Sequence, residues 1–175
     1  YGAWGGISAD IETINHFGLT PLPIITSLTA QNTQRLDSFE LPKDSFLEKQ
    51  FDLIDEDISF NTVKIGLLGS VSQIKTISRL INKKKSLNVV LDPILISGTQ
   101  ENFSSNKMIG AMKKYLFPMS TILTPNLEEL NLLAPGLSEQ DAVSSLNCSW
   151  VLVTTSDSSK VDIEHRLYHK SILTR

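Results

Sequence analysis

The feature that most limits the fold of this chain is an alternation. Short runs of β-branched and apolar residues are followed, again and again, by longer stretches with apolar residues at helical spacing. Six runs have the length and composition of strands, at 23–30, 62–67, 88–91, 120–124, 150–154 and 166–169. Helical patterns occupy 6–17, 44–58, 70–82, 104–116, 126–133 and 138–146. In the first, Ile7, Ile11 and Ile14 share a face and Gly18 supplies a stop. In the second, Phe46, Leu47, Phe51, Ile54 and Ile58 recur at helical intervals, and in the third Val71, Ile74, Ile77 and Ile81 follow a serine able to cap. Strand–helix–strand repetition with nearly continuous apolar strands predicts a mainly parallel sheet with helices on both faces, an α/β chain of three layers, α/β/α. At 175 residues the chain suits a single domain over 1–175.

Right-handed crossovers place the carboxyl ends of parallel strands on one rim, and ligands of open α/β sheets bind there. The residues just after each strand are therefore the candidates. After 23–30 comes Gln31, whose amide offers one acceptor and two donors, the complement of a heterocycle edge with an amine beside a ring nitrogen. The same Gln-Asn-Thr run also suits a plain turn. After 62–67 two glycines, Gly66 and Gly69, flank Leu67, which could floor a pocket or merely belong to a strand-to-helix turn. Asp92-Pro93 ends the third strand with a carboxylate suited to Mg²⁺ or to water bound to it, and Asp-Pro is equally a common strand terminator. After the fourth, Asn126 and Glu129 have the spacing of a capping box, at a helix start that also attracts phosphate and could orient a metal bound to it. Asp10 falls in the first turns of its helix, where an acid is favoured by the helix dipole anyway.

Other classes are disfavoured. Sixteen basic against 19 acidic residues give a net charge of −3, with no basic footprint for nucleic acid. The run Lys83-Lys84-Lys85 reads as a solvated helix end. A single cysteine, Cys148, forbids an intrachain disulfide and suits a reducing, cytoplasmic setting. No stretch approaches the ~18 apolar residues of a membrane span, and no signal-peptide pattern opens the chain. His16, His165 and His169 lack metal-site spacing. There is no P-loop, no dinucleotide-binding glycine fingerprint and no nucleophile elbow. The polar stretch 155–164 reads as a loop.

Taken in order, five segments carry a specific resemblance: Gly-Ile-Ser-Ala-Asp (6–10), Leu-Thr-Ala-Gln-Asn-Thr (28–33), Val-Lys-Ile-Gly-Leu-Leu (63–68), Val-Leu-Asp-Pro-Ile-Leu (90–95) and Leu-Thr-Pro-Asn-Leu-Glu-Glu-Leu (123–130). Over roughly residues 5 to 155 the chain resembles the hydroxymethylpyrimidine/phosphomethylpyrimidine kinases of thiamine biosynthesis. The resemblance implies a ribokinase-like fold and phosphorylation of the pyrimidine, or of its monophosphate, with ATP and Mg²⁺. By position it implies that Asp10 and Gln31 bond the aminopyrimidine and that Leu67 and Ile94 line its apolar faces. It also places Asp92 and Glu129 with the metal, and Asn126 and Thr154 with the nucleotide. A pyridoxal-type kinase of the same fold, or an inactive pyrimidine-binding homologue, would share much of this pattern, and a homodimer is one assembly open to it. The chain departs from the family at Ser97-Gly98-Thr99-Gln100, where a Lys and an Asp are usual, at Thr154-Thr155-Ser156-Asp157, where a Lys-Gly-Gly turn is usual, and at Ser8, where Gln is usual. The family's first strand and its Gly-x-Gly-Cys segment, which forms the anion hole, are absent from these 175 residues. The expectation is therefore a chain incomplete at both ends, with its catalytic residue outside the sequence.

Overall fold

The computed structural model describes residues 6–32, 35–84, 86–95, 105–155 and 163–174. The chain begins with helix α1 (Ile7–His16), stopped by Gly18 at a positive φ of 71°. A hairpin of β1 (Leu28–Gln31) and β2 (Leu36–Glu40) follows, then α2 (Asp44–Asp57). The main unit runs β3 (Thr62–Ile65), α3 (Val71–Lys83), β4 (Asn88–Leu91), α4 (Asn106–Tyr115), β5 (Ile122–Leu123), α5 (Leu127–Leu133), α6 (Glu139–Ser145), β6 (Trp150–Val153), β7 (Arg166–His169) and β8 (Ile172–Leu173). In space the strands lie in chain order from β3 to β8. The expected parallel register holds from β3 to β6, while β7 and β8 add antiparallel.

One expectation fails at the start of this pattern. Residues 23–30 do not form a strand of the main sheet: β1 covers only Leu28–Gln31 and pairs antiparallel with β2 in a separate two-stranded sheet. The segment before it bonds to side chains instead of a ladder. Ile25 N donates to Gln50 Oε1 at 3.1 Å, Thr26 Oγ1 donates to Leu67 O at 2.8 Å, and Gln73 Nε2 donates to Thr26 O at 2.8 Å. Strand β2, Leu-Asp-Ser-Phe-Glu, escapes a reading by apolar runs because four of its five residues are exposed.

The core forms on one face of the main sheet. Ile65, Leu91, Leu123 and Val151 stand in register there, and Ile74, Met112, Leu133 and Val143 of α3 to α6 close over them. The opposite face is half-exposed at Val90, Ile122, Leu152 and Leu167, with Trp150 stacked on His169 at 4.1 Å. Helix α1 reaches that face near β3 but has no buried side chain, so the apolar stripe of Ile7, Ile11 and Ile14 is only partly covered. In α2, Leu47 and Phe51 face inward and Phe46 is exposed.

In the basic run at the end of α3, Lys83 and Lys84 are not simply solvated, while Lys85 lies outside the described residues. Lys83 Nζ lies 3.1 Å from Asp52, Lys84 bonds Asp55, and the Lys84 ammonium sits 4.0 Å from the Phe60 ring centre. Arg79 pairs with Glu48 along the same seam, fastening α3 to α2. Among the described residues no helix is long and apolar enough to cross a membrane.

The antiparallel edge is locked by a small polar network. Arg166 grips Glu139 through two hydrogen bonds, 2.6 and 2.8 Å, and Tyr168 OH donates to the same carboxylate at 2.6 Å. Burial opposes the Glu139 charge, but the hydrogen bonds from Arg166 and Tyr168 and the Arg166 charge outweigh it, holding its carboxyl below the usual range. Burial and Glu139 together push the Tyr168 phenol up to about 12. A depressed carboxyl stabilises the fold above its unfolded pKa, and the benefit is lost as pH falls through the folded value. Glu139→Gln is therefore expected to cost about 1 kcal/mol near neutral pH and little at about pH 3. Melting temperatures of both proteins across that range check it; parallel curves would contradict it.

Candidate active site

The site begins with strand alternation. Leu91, Leu123 and Val153 end their strands pointing into the core, so the next residues turn to the half-exposed face at the same rim. Those residues are Asp92, Thr124 and Thr154. The backbone ladder runs one step past each strand to hold them: Asp92 N donates to Ile65 O at 2.9 Å, Thr124 N to Leu91 O at 3.0 Å, and Thr154 N to Pro125 O at 3.0 Å.

Around Asp92 the charges converge. Thr124 hydrogen-bonds its carboxylate, and Lys64 Nζ stands 3.8 Å from Asp92 Oδ2 and 2.5 Å from Asp10 Oδ1. Burial raises the Asp92 pKa; Lys64 lowers it, Asp10 raises it and the Thr124 bond lowers it, with a net upward shift. Glu129 is only 4% exposed. Its Oε1 accepts from Leu95 N at 3.2 Å and its Oε2 from Asn126 N at 3.0 Å. Asn126 Oδ1 in turn accepts from Glu129 N at 2.8 Å, so the expected capping box is formed. Burial again raises the Glu129 pKa against the two N–H bonds, aided by Asp92 and Glu128. A bridge between Asn126 and Thr154 ties this helix start to β6.

The fold thus gathers Asp10, Asp92, Asn126, Glu129 and Thr154 at one rim. Leu67 and Ile94 follow β3 and β4 there, both half-buried, and Ile94 Cδ1 lies 3.7 Å from where a side chain at Gly66 would begin. Gln31 stands apart. It is exposed at the end of β1 on the separate hairpin, not at the end of a main-sheet strand. A groove of about 590 Å³ lines α2 with Phe46, Lys49 and Leu53 and includes no rim residue. Among the described residues no three His, Cys, Asp or Glu side chains cluster as a metal cage. Both oxygens of Glu129 are engaged within the protein and Asp10 Oδ1 is held by Lys64 at 2.5 Å, which leaves Asp92, with a side chain 29% exposed and Lys64 only 3.8 Å away, as the rim carboxylate suited to a cation. Such a set fits Mg²⁺ held mainly by phosphate oxygens and water, with one or two protein carboxylates.

The phosphomethylpyrimidine kinase family model matches residues 2–173. The chain belongs to the phosphomethylpyrimidine kinase family. It is 31% identical over 152 residues to a putative hydroxymethylpyrimidine/phosphomethylpyrimidine kinase 2 of Schizosaccharomyces pombe, covering 84% of this chain and 28% of that protein. It is 29% identical over 124 residues to the hydroxymethylpyrimidine/phosphomethylpyrimidine kinase of Escherichia coli, covering 71% of this chain and 47% of that protein. The chain therefore spans about half or less of the length of these relatives. A crystal structure of phosphomethylpyrimidine kinase from Clostridium difficile superposes with a TM-score of 0.83 at 26% identity, over 99% of this chain and 78% of that one. Pyridoxal kinase from Staphylococcus aureus in complex with AMP-PCP superposes at 0.79 with 23% identity, over 97% of this chain and 64% of that one, a likeness of fold. The family's ribokinase-like α/β fold is thus the fold of this chain.

Within that fold two rim residues were not among the sequence candidates, Thr124, the last residue of its expected strand, and Lys64. Lys64 lies inside a strand, not after one, so a survey of strand ends passes over it. Its signal was a lone charge between Val63 and Ile65 in a run otherwise apolar. The departure at Ser97-Gly98-Thr99-Gln100 and most of the expected loop at 155–164 lie outside the described residues.

Proposed function

We propose that the protein of which this chain forms part phosphorylates hydroxymethylpyrimidine, its monophosphate, or both, using MgATP. The observation that carries the reading is the convergence of Asp92, Thr124, Glu129 and Asp10 on one rim of a sheet with this family's sequence. One half-buried carboxyl group, Asp92, and one buried, Glu129, both with raised pKa values, hold their negative charge at a cost, which a divalent cation would offset. Phosphoryl transfer depends on positioning and charge neutralisation more than on covalent chemistry.

In this reading Asp92 orients the metal, directly or through water. Glu129 acts on the same region by fixing the start of α5 and the backbone at Leu95. Since Asn126 N and Glu129 N are both used inside the cap, nucleotide contacts fall to the Asn126 amide and the Thr154 hydroxyl. Asp10 and Gln31 bond the pyrimidine ring, Gln31 from the hairpin, while Leu67 and Ile94 line its faces. Mg²⁺ supplies neutralisation of phosphate charge when bound. A cytoplasmic setting and a small-molecule substrate pair belong to the same proposal.

The test is ADP release by the purified protein with MgATP and, in turn, hydroxymethylpyrimidine, its monophosphate and pyridoxal. Turnover with a pyrimidine and none with pyridoxal is expected. Turnover with pyridoxal alone would replace the reading with a pyridoxal kinase, and pyrimidine binding without transfer would replace it with a binding protein.

A further inference from the structure

We propose that Lys64 is a positioning residue that joins the substrate side of the rim to its phosphate side. This inference rests on the kinase reading above.

The backbone of Lys64 is immobilised by the sheet, where it pairs with Val90 while its neighbour Ile65 is buried in the core. The side chain is therefore delivered from a rigid strand, and its ammonium reaches two carboxylates from different elements, Asp10 on α1 and Asp92 after β4. A compact ammonium with three donors suits such a bridge. The contact matters most for α1. That helix buries no side chain and has no side-chain N-cap, and among the described residues its one ion pair is the bond from Asp10 to Lys64. Where Asp10 stands on the sheet is thus governed by Lys64 more than by packing.

The bridge also has an electrostatic role. Three acids, Asp10, Asp92 and Glu129, face one another across the rim, and Lys64 is the cation paired with two of them. Its removal makes the rim more negative while releasing Asp10. The two consequences have opposite signs: a cation is drawn to Asp92 more strongly, and the ring-binding carboxylate loses its position. A lysine that served only to hold the fold together would not separate them.

The experiment compares wild type, Lys64→Met and Lys64→Arg. In Lys64→Met the KM for pyrimidine is expected to rise about tenfold with kcat changed less than about threefold. The Mg²⁺ concentration for half-maximal rate is expected to fall about threefold. Lys64→Arg, which keeps the charge, is expected to bring both constants back to within about threefold of wild type. An unchanged pyrimidine KM, constants that rise together, or an arginine variant as impaired as the methionine variant would each overturn the proposal. Should Lys64→Met not fold, Lys64→Gln carries the same expectations. If the wild-type protein transfers no phosphoryl group, the kinase reading fails separately. The link from Lys64 to α1 is then judged by amide exchange over Ile7–His16: faster in Lys64→Met and restored in Lys64→Arg supports it, and unchanged exchange overturns it.

Discussion

Replacing Asp92 with Asn is expected to reduce phosphoryl transfer, as kcat/KM, by on the order of 100- to 1000-fold while leaving the fold intact. The reason lies in the opposing demands on this carboxylate. Its burial makes the charged form unfavourable, as its raised pKa records. For an acid, a folded pKa above the unfolded one means that stability falls as pH rises from the unfolded value and that the full cost is present once pH exceeds the folded value. Asparagine removes that cost, keeps the shape and can still accept from Thr124, although it gives up the attraction to Lys64. Thermal stability without ligands is thus expected to stay near that of wild type or to rise. The catalytic loss comes from the missing charge opposite the cation. Steady-state rates over a range of Mg²⁺ concentrations, with melting curves alongside, make the measurement. Transfer by Asp92→Asn within tenfold of wild type would remove Asp92 from the phosphate region.

The largest effect on stability is expected at Leu123. Strand β5 is only two residues long, yet it holds β4 and β6 together, and Leu123 within it is fully buried between Leu91 and Val151. Truncation to alanine leaves a cavity that the sheet cannot close without breaking register, at about 3 kcal/mol. In a chain of this length that corresponds to a fall in melting temperature of about 10 °C. Leu173→Ala, on the exposed edge strand β8, is the control, with an expected cost below about 0.5 kcal/mol. Similar losses at the two positions would mean that the core is not centred on this sheet face. Because Leu123 immediately precedes Thr124, the same substitution is expected to loosen the rim, tying packing to the site.

Much of this was legible in the chain itself. Apolar runs at 62–67, 88–91 and 150–154 became β3, β4 and β6, because a strand buried in a parallel sheet must be apolar along most of its length. The serine before α3 and the Asn126–Glu129 pair became caps, because capping depends on local spacing alone. The rim positions of Asp92 and Asn126 followed from where strands end, since a strand that ends must deliver the next residues to the edge, whereas Thr154 was implied only by the family resemblance.

What could not be read locally was decided by partners distant in sequence. The segment at 23–30 has strand composition, but before β1 begins at Leu28 its backbone at Ile25 and Thr26 is bonded by Gln50 and Gln73, 25 and 47 residues away, in place of a ladder. Gln31 therefore rides on a hairpin whose second strand has no apolar run to announce it. The lysines after α3 looked solvated because their acids lie about 30 residues earlier on α2. The chain by itself determined which elements form, where they are capped and which side chains stand at strand ends, since backbone period and local hydrogen bonding act over a few residues. Tertiary structure decided which charges meet: Lys64 comes to Asp10 and Asp92 only once β3, β4 and α1 are assembled, because a Coulomb interaction depends on distance in space and leaves no periodic mark on the sequence.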